Sequence, residues 1–277
     1  MRLTGFDHNG TTMMGVVIGD RVEPVSSVSD FYSDVEGALA SARAVTGGSL
    51  RLGSLEQLPP VPATAKVLCV GLNYRAHAAE GGREVPSHPN IFARWASTLV
   101  ADGAAIPLPV GEPRLDYEAE LVAVIGRELH GADRATAGGG ILGYACGNDV
   151  TARGYQQRTP QWALGKNADR SAPIGTIVTA DEVGDLGGLE IACRLNGQEM
   201  QRSSLDRMIF PPDEIVAYVS GCLTLKPGDV VFTGTPEGVG FRRSPQVFMQ
   251  DGDVVEVEID RIGKLRNRIA DRLSVAP

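Results

Sequence analysis

The feature that most constrains this chain is a stretch, residues 115–126, that places acidic side chains within a strand pattern. Its valine, isoleucine and tyrosine content favours a β-strand, in which successive side chains point to opposite faces. One face then carries Leu115, Tyr117, Ala119, Leu121, Ala123 and Ile125. The other face carries Asp116, Glu118, Glu120, Val122 and Val124. The pattern therefore predicts a strand whose acidic face continues into a buried one.

Glu118 and Glu120 are two residues apart, which in a strand separates them by roughly 6.5–7 Å. Like charges that leave bulk water repel unless a cation compensates them, and Mg²⁺, Mn²⁺ or Ca²⁺ prefer such oxygen ligands. The simpler interpretation is a solvated face, because an antiparallel sheet commonly has one wet side. The Glu-x-Glu pattern alone leaves both interpretations open.

A second candidate group follows the short apolar strand 66–71. His77 and Glu80 are three residues apart, so in a helical turn their side chains can touch. A histidine held by a carboxylate is suited to act as a general base near neutral pH. The alternative is an exposed helix pair on a surface loop. The polar segment 81–89 has the composition of a lid that folds over a site.

Two further ionisable residues stand next to apolar segments. Asp149 follows the apolar run 141–148, a strand candidate, and strand ends are where functional side chains are commonly presented. Lys166 lies among small and apolar residues, which either lowers its pKa or simply buries its aliphatic stem.

Charge and composition exclude some partners. The net charge of -8 and the pI near 5.1 argue against nucleic acid and anionic membranes, which require clustered Lys and Arg. No apolar run approaches the roughly 20 residues of a membrane span, and the first residues lack a signal-peptide core. The 4 cysteines show no metal or redox spacing. We therefore expect a cytoplasmic protein without nucleic-acid or membrane partners.

The chain divides into two predicted units. Residues 1–62 read as a small α+β domain with strands near 1–6 and 14–18 and a helix near 35–44, ending in a proline-rich linker. Residues 63–277 form the larger unit. In its last third we expect strands at 189–195, 230–232 and 254–259, the last of these completing the sheet, and a helix at 212–221.

Five ordered motifs together resemble the fumarylacetoacetate hydrolase family, in the branch that acts on acylpyruvates and related 2-oxo acids. The resemblance covers roughly residues 66–272. The motifs are Gly71-Leu72-Asn73-Tyr74 with His77 and Glu80, Asp116–Leu121, Asn148–Arg153, Gly165-Lys166 and Thr233–Gly240. It implies an α+β, mostly β fold, a mixed multi-sheet β roll with a small N-terminal domain, that forms a homodimer.

The resemblance also implies a role for each candidate residue. The implied ligands of Mg²⁺ or Mn²⁺, with Ca²⁺ as a further candidate, are Glu118, Glu120 and Asp149. The implied catalytic residues are His77 and Glu80, which activate water, and Lys166 and Gln156, which line the reacting carbonyl. The implied substrate-binding residues are Arg94, Arg153 and Thr235.

The function implied is metal-dependent hydrolysis of a carbon–carbon bond in a 2,4-dioxo acid, giving pyruvate and a carboxylate. Metal-dependent decarboxylation of oxaloacetate or a related 2-oxo acid is the first alternative. A non-catalytic, metal-stabilised binding module is the second. The sequence departs from the family at Arg94-Trp95, where relatives often have Lys-Pro, and at Asn167-Ala168 after the lysine.

Overall fold

The computed structural model describes residues 1–271, over which strands far outweigh helices, as the resemblance implied. The strands are β1 (Arg2–His8), β2 (Thr11–Ile18), β3 (Arg21–Ser27), β4 (Leu50–Arg51), β5 (Gln57–Leu58), β6 (Val67–Gly71), β7 (Asn90–Arg94), β8 (Leu99–Val100), β9 (Ala105–Leu108), β10 (Leu115–Asp116), β11 (Ala119–Ile125), β12 (Ile141–Asn148), β13 (Thr151–Ala152), β14 (Ala172–Pro173), β15 (Ile177–Thr179), β16 (Glu190–Leu195), β17 (Gln198–Ser204), β18 (Val230–Phe232), β19 (Val254–Ile259) and β20 (Gly263–Asp271).

The helices are short. They are α1 (Val28–Ser33), α2 (Val35–Arg43), α3 (Arg75–Glu80), α4 (Arg134–Gly138), α5 (Arg153–Gln156), α6 (Ala163–Lys166), α7 (Ala180–Val183) and α8 (Pro212–Ser220). In the described part of the chain, none has the length and apolar character needed to cross a membrane.

One large mixed sheet organises the fold. Its 11 strands run in the order β4-β3-β2-β1-β15-β12-β11-β18-β6-β7, with β5 attached to β1. The strands of the first 58 residues join the rest through β1 and β15, where Leu3 lies opposite Ile177. The boundary predicted near residue 62 falls between β5 and β6, and residues 272–277 of the predicted larger domain lie outside the described residues.

The acidic stretch forms two strands instead of the single one we expected. β10 pairs with β13, whereas β11 pairs with β12 and β18. The chain changes partners at 117–118, because the Asp116 carboxylate accepts hydrogen bonds from the backbone N–H groups of Tyr117, Gly240 and Phe241. These bonds hold Asp116 next to Gly240 and Phe241, away from the partners of β11.

The predicted alternation of faces is nevertheless observed. The residues of one face belong to the larger hydrophobic core: Leu115, Tyr117, Ala119, Leu121, Ala123 and Ile125. Val122 and Val124, on the other face, belong to the second core, which lies beneath the N-terminal strands. Both faces of β11 are thus buried.

A second sheet of five strands runs in the order β17-β16-β19-β20-β9. The expectation that strand 254–259 completes the sheet was wrong, because β20 pairs with β19 along its length and with β9. In β20 the buried residues Leu265, Asn267 and Ile269 alternate with the exposed residues Lys264, Arg266 and Arg268. The sequence therefore did contain a strand alternation, but the charged residues and the buried asparagine made it hard to recognise.

The loop between β6 and α3 is tied to the rest of the fold by one amide. Asn73 is fully buried, and its Nδ2 donates to the carbonyls of Phe210 and Thr233 at 2.8 and 2.6 Å. Its Oδ1 accepts from the Phe210 N–H at 2.8 Å. These bonds place α3 next to the segment that follows β18.

Replacing Asn73 with Ala should therefore lower the free energy of unfolding by about 2–4 kcal/mol, because it leaves buried backbone groups of Phe210 and Thr233 without partners. Chemical denaturation measures the change. Asn167→Ala is the matched control, since Asn167 also makes three such bonds but at the surface, where water replaces them. Equal losses in the two variants would contradict this assignment.

Candidate metal centre and active site

Three carboxylates meet where the β11–β12 ladder ends. Glu118 precedes β11 and Asp149 follows β12, and the Asp149 N–H donates to the Glu118 carbonyl at 2.9 Å. Glu120 lies within β11, opposite Gly147. One oxygen from each carboxylate lies within 4.8 Å of the other two. The register of one antiparallel pair therefore gathers Glu118, Glu120 and Asp149.

The burial of this group excludes the solvated-face interpretation. Glu118 is 6% exposed, and Glu120 and Asp149 are each 1% exposed. Glu120 accepts a hydrogen bond of 2.7 Å from the backbone N–H of Gly234. Burial, and then the nearby charges of Asp149 and Glu118, raise the pKa of Glu120 well above its usual range. This carboxylate is the one with the greatest need of a cation.

Three buried cations compensate the other carboxylates. The Lys166 Nζ donates to Glu118 Oε2 at 2.8 Å and to Asp149 Oδ2 at 2.5 Å. Arg94 donates to Asp149 Oδ1 at 2.9 Å, and Arg153 donates to Glu118 Oε1 at 2.6 Å.

These contacts fix the direction of two pKa shifts. Burial alone would raise the pKa of Glu118, but Lys166 and Arg153 hold it well below its usual range. Burial alone would lower the pKa of Lys166, but Asp149 and Glu118 raise it. The sequence left two possibilities for Lys166, a lowered pKa or a buried aliphatic stem. The structure supports the second, because the stem is buried and the pKa is raised.

The donor set fits a hard divalent cation. Ligand oxygens at 2.0–2.6 Å from one ion lie at most about 5 Å from each other, and the three carboxylates meet that limit. The residues that would hold the ion are Glu118, Glu120 and Asp149. Because the Lys166 ammonium contacts two of these carboxylates, a metal ion must either share them with the ammonium or displace it.

A cavity of about 870 Å³ opens in front of the carboxylates. Eight of the ten predicted site residues line it: His77, Glu118, Glu120, Asp149, Arg153, Gln156, Lys166 and Thr235. Glu80 and Arg94 lie behind this wall. The Arg94 guanidinium is buried against Asp149, the Val150 carbonyl and Ser171, so it contacts a carboxylate of the site and not the cavity.

His77 and Glu80 form the expected pair on α3. Nδ1 of His77 lies 3.1 Å from Glu80 Oε2, and Glu80 Oε1 accepts the Gly238 N–H at 3.1 Å. Burial alone would raise the pKa of Glu80, but the hydrogen bonds from His77 and Gly238 bring it below its usual value. An ionised carboxylate only accepts, so Nδ1 carries the proton and Nε2 is the basic nitrogen.

Two other predicted side chains are positioned by neighbours. Gln156 Oε1 accepts from Arg153 at 2.9 Å. Gln201 Nε2 donates to the Thr235 hydroxyl oxygen at 2.8 Å, which leaves the hydroxyl hydrogen free to donate elsewhere. Gln201 also accepts the Ala119 N–H at 3.0 Å, so it joins β11 to the segment that carries Thr235.

Sequence reasoning missed several residues of the site. Asp116 binds Arg153 at 2.8 Å and anchors two backbone N–H groups after Val239. Aromatic rings and further cations also line the cavity: Phe92, Trp95, Trp162, Phe241, Arg83 and Arg242. Asp116 was visible on the acidic face, but its partners other than the adjacent Tyr117 N–H are 37 or more residues away and have no local signature.

Comparison with known proteins identifies relatives over most of the chain. The family model "Fumarylacetoacetate (FAA) hydrolase C-terminal" matches residues 66–270. The mitochondrial oxaloacetate tautomerase Fahd2a of Rattus norvegicus is 37% identical over 262 residues, which cover 92% of this chain and 84% of the relative.

Two solved structures extend this similarity to the fold. Fumarylpyruvate hydrolase from Pseudomonas aeruginosa, in complex with Mn²⁺ and pyruvate, has a TM-score of 0.70 and 36% identity, covering 79% of this chain and 94% of that one. 5-Carboxymethyl-2-hydroxymuconate delta-isomerase from Mycobacterium smegmatis has a TM-score of 0.80 and 32% identity, covering 98% and 99%.

The contacts of Lys166 predict an antagonism between ammonium and metal. Lys166→Met keeps the apolar stem but leaves Glu118 with only Arg153, and Asp149 with only Arg94, as a cationic partner among residues 1–271. Because one buried cation is removed from the cluster, the free energy of unfolding without metal should fall by about 3–5 kcal/mol. Mn²⁺ should then stabilise the variant more than the wild type, as measured by the shift in melting temperature.

Glu120→Gln serves as the control, because it removes the carboxylate that has no lysine or arginine partner in the described chain. We expect that variant to lose Mn²⁺ binding without the loss of stability. If Mn²⁺ stabilises Lys166→Met no more than the wild type, the ammonium does not compete with the metal.

Proposed function

The chain belongs to the fumarylacetoacetate hydrolase family, and from that premise we propose that it is a divalent-metal-dependent enzyme that hydrolyses a carbon–carbon bond in a 2,4-dioxo acid, releasing pyruvate and a carboxylate. The observation that carries the proposal is that His77, oriented by Glu80, lines the same cavity as Glu118, Glu120 and Asp149. A carboxylate triad alone would serve a binding module, but a basic imidazole facing it supplies chemistry.

Mg²⁺ or Mn²⁺ bound by the triad would act as a Lewis acid towards the oxygens of a 2-oxo acid. The Mn²⁺ and pyruvate in the similar Pseudomonas fumarylpyruvate hydrolase support this choice of ion and ligand.

The base in the proposed reaction is Nε2 of His77. It removes a proton from a water molecule that attacks the C4 carbonyl, while Glu80 stabilises the imidazolium that forms. The C3–C4 bond then breaks, its electron pair stays with the three-carbon fragment, and a proton returned to that carbon yields pyruvate. The oxygen of the water leaves in the carboxylate product.

The inner wall of the cavity supplies the donors for the charge that develops. Lys166 remains protonated because of its raised pKa, and its ammonium and the Gln156 amide can donate to the oxygen at C4. The free hydrogen of the Thr235 hydroxyl can donate to the substrate carboxylate. Arg153 has a positioning role, since its guanidinium donates hydrogen bonds to Glu118 and Gln156.

A second candidate is keto–enol tautomerisation of oxaloacetate. It is favoured by the relative that covers 92% of this chain and is named an oxaloacetate tautomerase. The reaction moves one proton between C3 and the 2-oxo oxygen, so it needs the same base but no water. Decarboxylation is the weaker alternative, because its bond-breaking step takes no proton and the His77–Glu80 pair would serve only in the later protonation of C3.

Replacing His77 with Ala tests the proposed base. Pyruvate release from fumarylpyruvate should fall by roughly 10²–10⁴-fold, the usual effect of losing a general base. Mn²⁺ binding, measured by calorimetry, should stay unchanged. His88→Ala is the matched control, because His88 lies in the following exposed segment, bonded to Ser87 and packed on Tyr218.

Assays of the wild type and of His77→Ala also distinguish hydrolysis from tautomerisation. A wild-type enzyme that accelerates the ketonisation of oxaloacetate but releases no pyruvate from 2,4-dioxo acids would replace hydrolysis by tautomerisation. Full hydrolysis in His77→Ala would instead show that another group activates the water.

A further inference from the structure

Two cations at the mouth of the cavity, Arg83 and Arg242, stand apart from the ion-pair network of the site. Arg83 follows α3, and Arg242 follows the glycine-rich segment after β18. Both side chains line the cavity and both are exposed. Among residues 1–271, neither guanidinium has a hydrogen-bond or ion-pair partner.

Arg153, which also lines the cavity, differs from Arg83 and Arg242 because its guanidinium is fully paired. The Arg153 guanidinium is buried and donates to Asp116, Glu118 and Gln156. The ring of Phe241 lies between the two environments, 5.7 Å from the Arg153 guanidinium carbon and 4.9 Å from that of Arg242. One arginine therefore serves the carboxylates of the site, and the other faces the open part of the cavity.

The charges of the cavity are arranged in two layers. Its acidic side chains are Glu118, Glu120 and Asp149, all at the buried end. No carboxylate lines the mouth among the described residues, although the chain carries a net charge of -8. A small molecule that spans the cavity thus meets a carboxylate triad at one end and two guanidinium groups at the other.

The position of Arg242 is set by the segments around it. Its Nη2 is 3.5 Å from the position that a Cβ on Gly81 would take, so the guanidinium lies against the end of α3. Its charge contributes to the lowered pKa of Glu80. Arg83 follows Gly82, whose φ of 63° turns the chain back so that the Arg83 N–H bonds the Ala78 carbonyl. Both arginines are thereby directed to the rim beside His77.

From this arrangement we propose that Arg242, assisted by Arg83, binds a second carboxylate at the far end of the substrate. The substrate is then a dicarboxylic acid, with a 2-oxo acid group at one end and a carboxylate at the other. The inference rests on the proposed function, because it takes the carboxylate triad as the end that binds the 2-oxo acid. It adds the residue that selects the remote group.

The expected strength of this contact is moderate. An exposed ion pair contributes little, whereas a charge-assisted hydrogen bond in a partly closed cavity contributes more. A planar guanidinium also matches the two oxygens of a carboxylate, which a lysine ammonium does not. We expect a change in selectivity of roughly 10- to 100-fold, the range for the loss of one such bond.

The test compares two substrates that share the reacting dioxo acid. One is fumarylpyruvate and the other is its analogue in which the remote carboxylate is a carboxamide. With the Mn²⁺-loaded wild type, kcat/KM should favour the acid. Arg242→Gln should lose roughly 10- to 100-fold in kcat/KM for the acid, through KM, and almost nothing for the amide. Arg242→Lys should recover part of the loss, and Arg83→Gln should show a smaller effect of the same kind.

Arg158→Gln is the matched control. Arg158 is also an exposed arginine over an aromatic ring, 4.2 Å from the centre of Tyr155, but it does not line this cavity. It should leave the preference for the acid unchanged. If Arg158→Gln and Arg242→Gln lose the preference for the acid equally, the effect comes from the net charge of the protein, and the proposed subsite is wrong.

Calorimetric binding of both compounds to the Mn²⁺-loaded protein separates the two proposals. If both compounds are cleaved and Arg242→Gln treats them alike, the subsite is wrong and the hydrolase stands. If neither is cleaved, the hydrolase is wrong, and the subsite is decided by whether Arg242→Gln weakens binding of the acid more than that of the amide.

Discussion

The structure depends on the compensation of four buried carboxylates, those of Asp116 in β10 and of Glu118, Glu120 and Asp149 near the ends of β11 and β12. Their cationic partners come from three separate segments, Arg94 from β7, Arg153 from α5 and Lys166 from α6. Among residues 1–271, three cations face these four acids, and the Glu120 carboxylate has only the backbone N–H of Gly234 as a hydrogen-bond donor. Since a buried charge without a partner is costly, the position of each of these segments follows from the acid that it neutralises.

Such a cluster is a poor way to stabilise a fold, because apolar side chains of similar volume commonly stabilise as well or better. Its retention is explained by what it prepares. Three carboxylate oxygens are held close together before any metal arrives, so binding a cation requires little rearrangement of the backbone. Lys166 limits the repulsion between two of these carboxylates and also lines the cavity where charge would develop.

The parts of this site that could be predicted from the sequence are those encoded over a few residues. The alternation in 115–126, the spacing of His77 and Glu80 and the strand-end position of Asp149 each follow from local geometry. The role of Arg94 as a buried partner of Asp149 depends on residues 55 positions apart, which no periodicity reveals. The break at Tyr117-Glu118 was missed for the same reason, since it arises from bonds between Asp116 and backbone groups 124 and 125 residues later.

The segment after β18 shows how these carboxylates place a loop that has little regular structure. Its N–H groups bond to Glu120 at Gly234, to Glu80 at Gly238 and to Asp116 at Gly240. The hold on α3 depends on ionised Glu80, whose pKa is lower in the folded protein than its usual value. A lowered pKa contributes stability above the unfolded value of about 4.3, and that contribution is lost as the pH falls through the folded value. At neutral pH, Glu80 therefore keeps both His77 and this loop in place, so the base, the Thr235 hydroxyl and the guanidinium of Arg242 are all positioned through the same set of carboxylates.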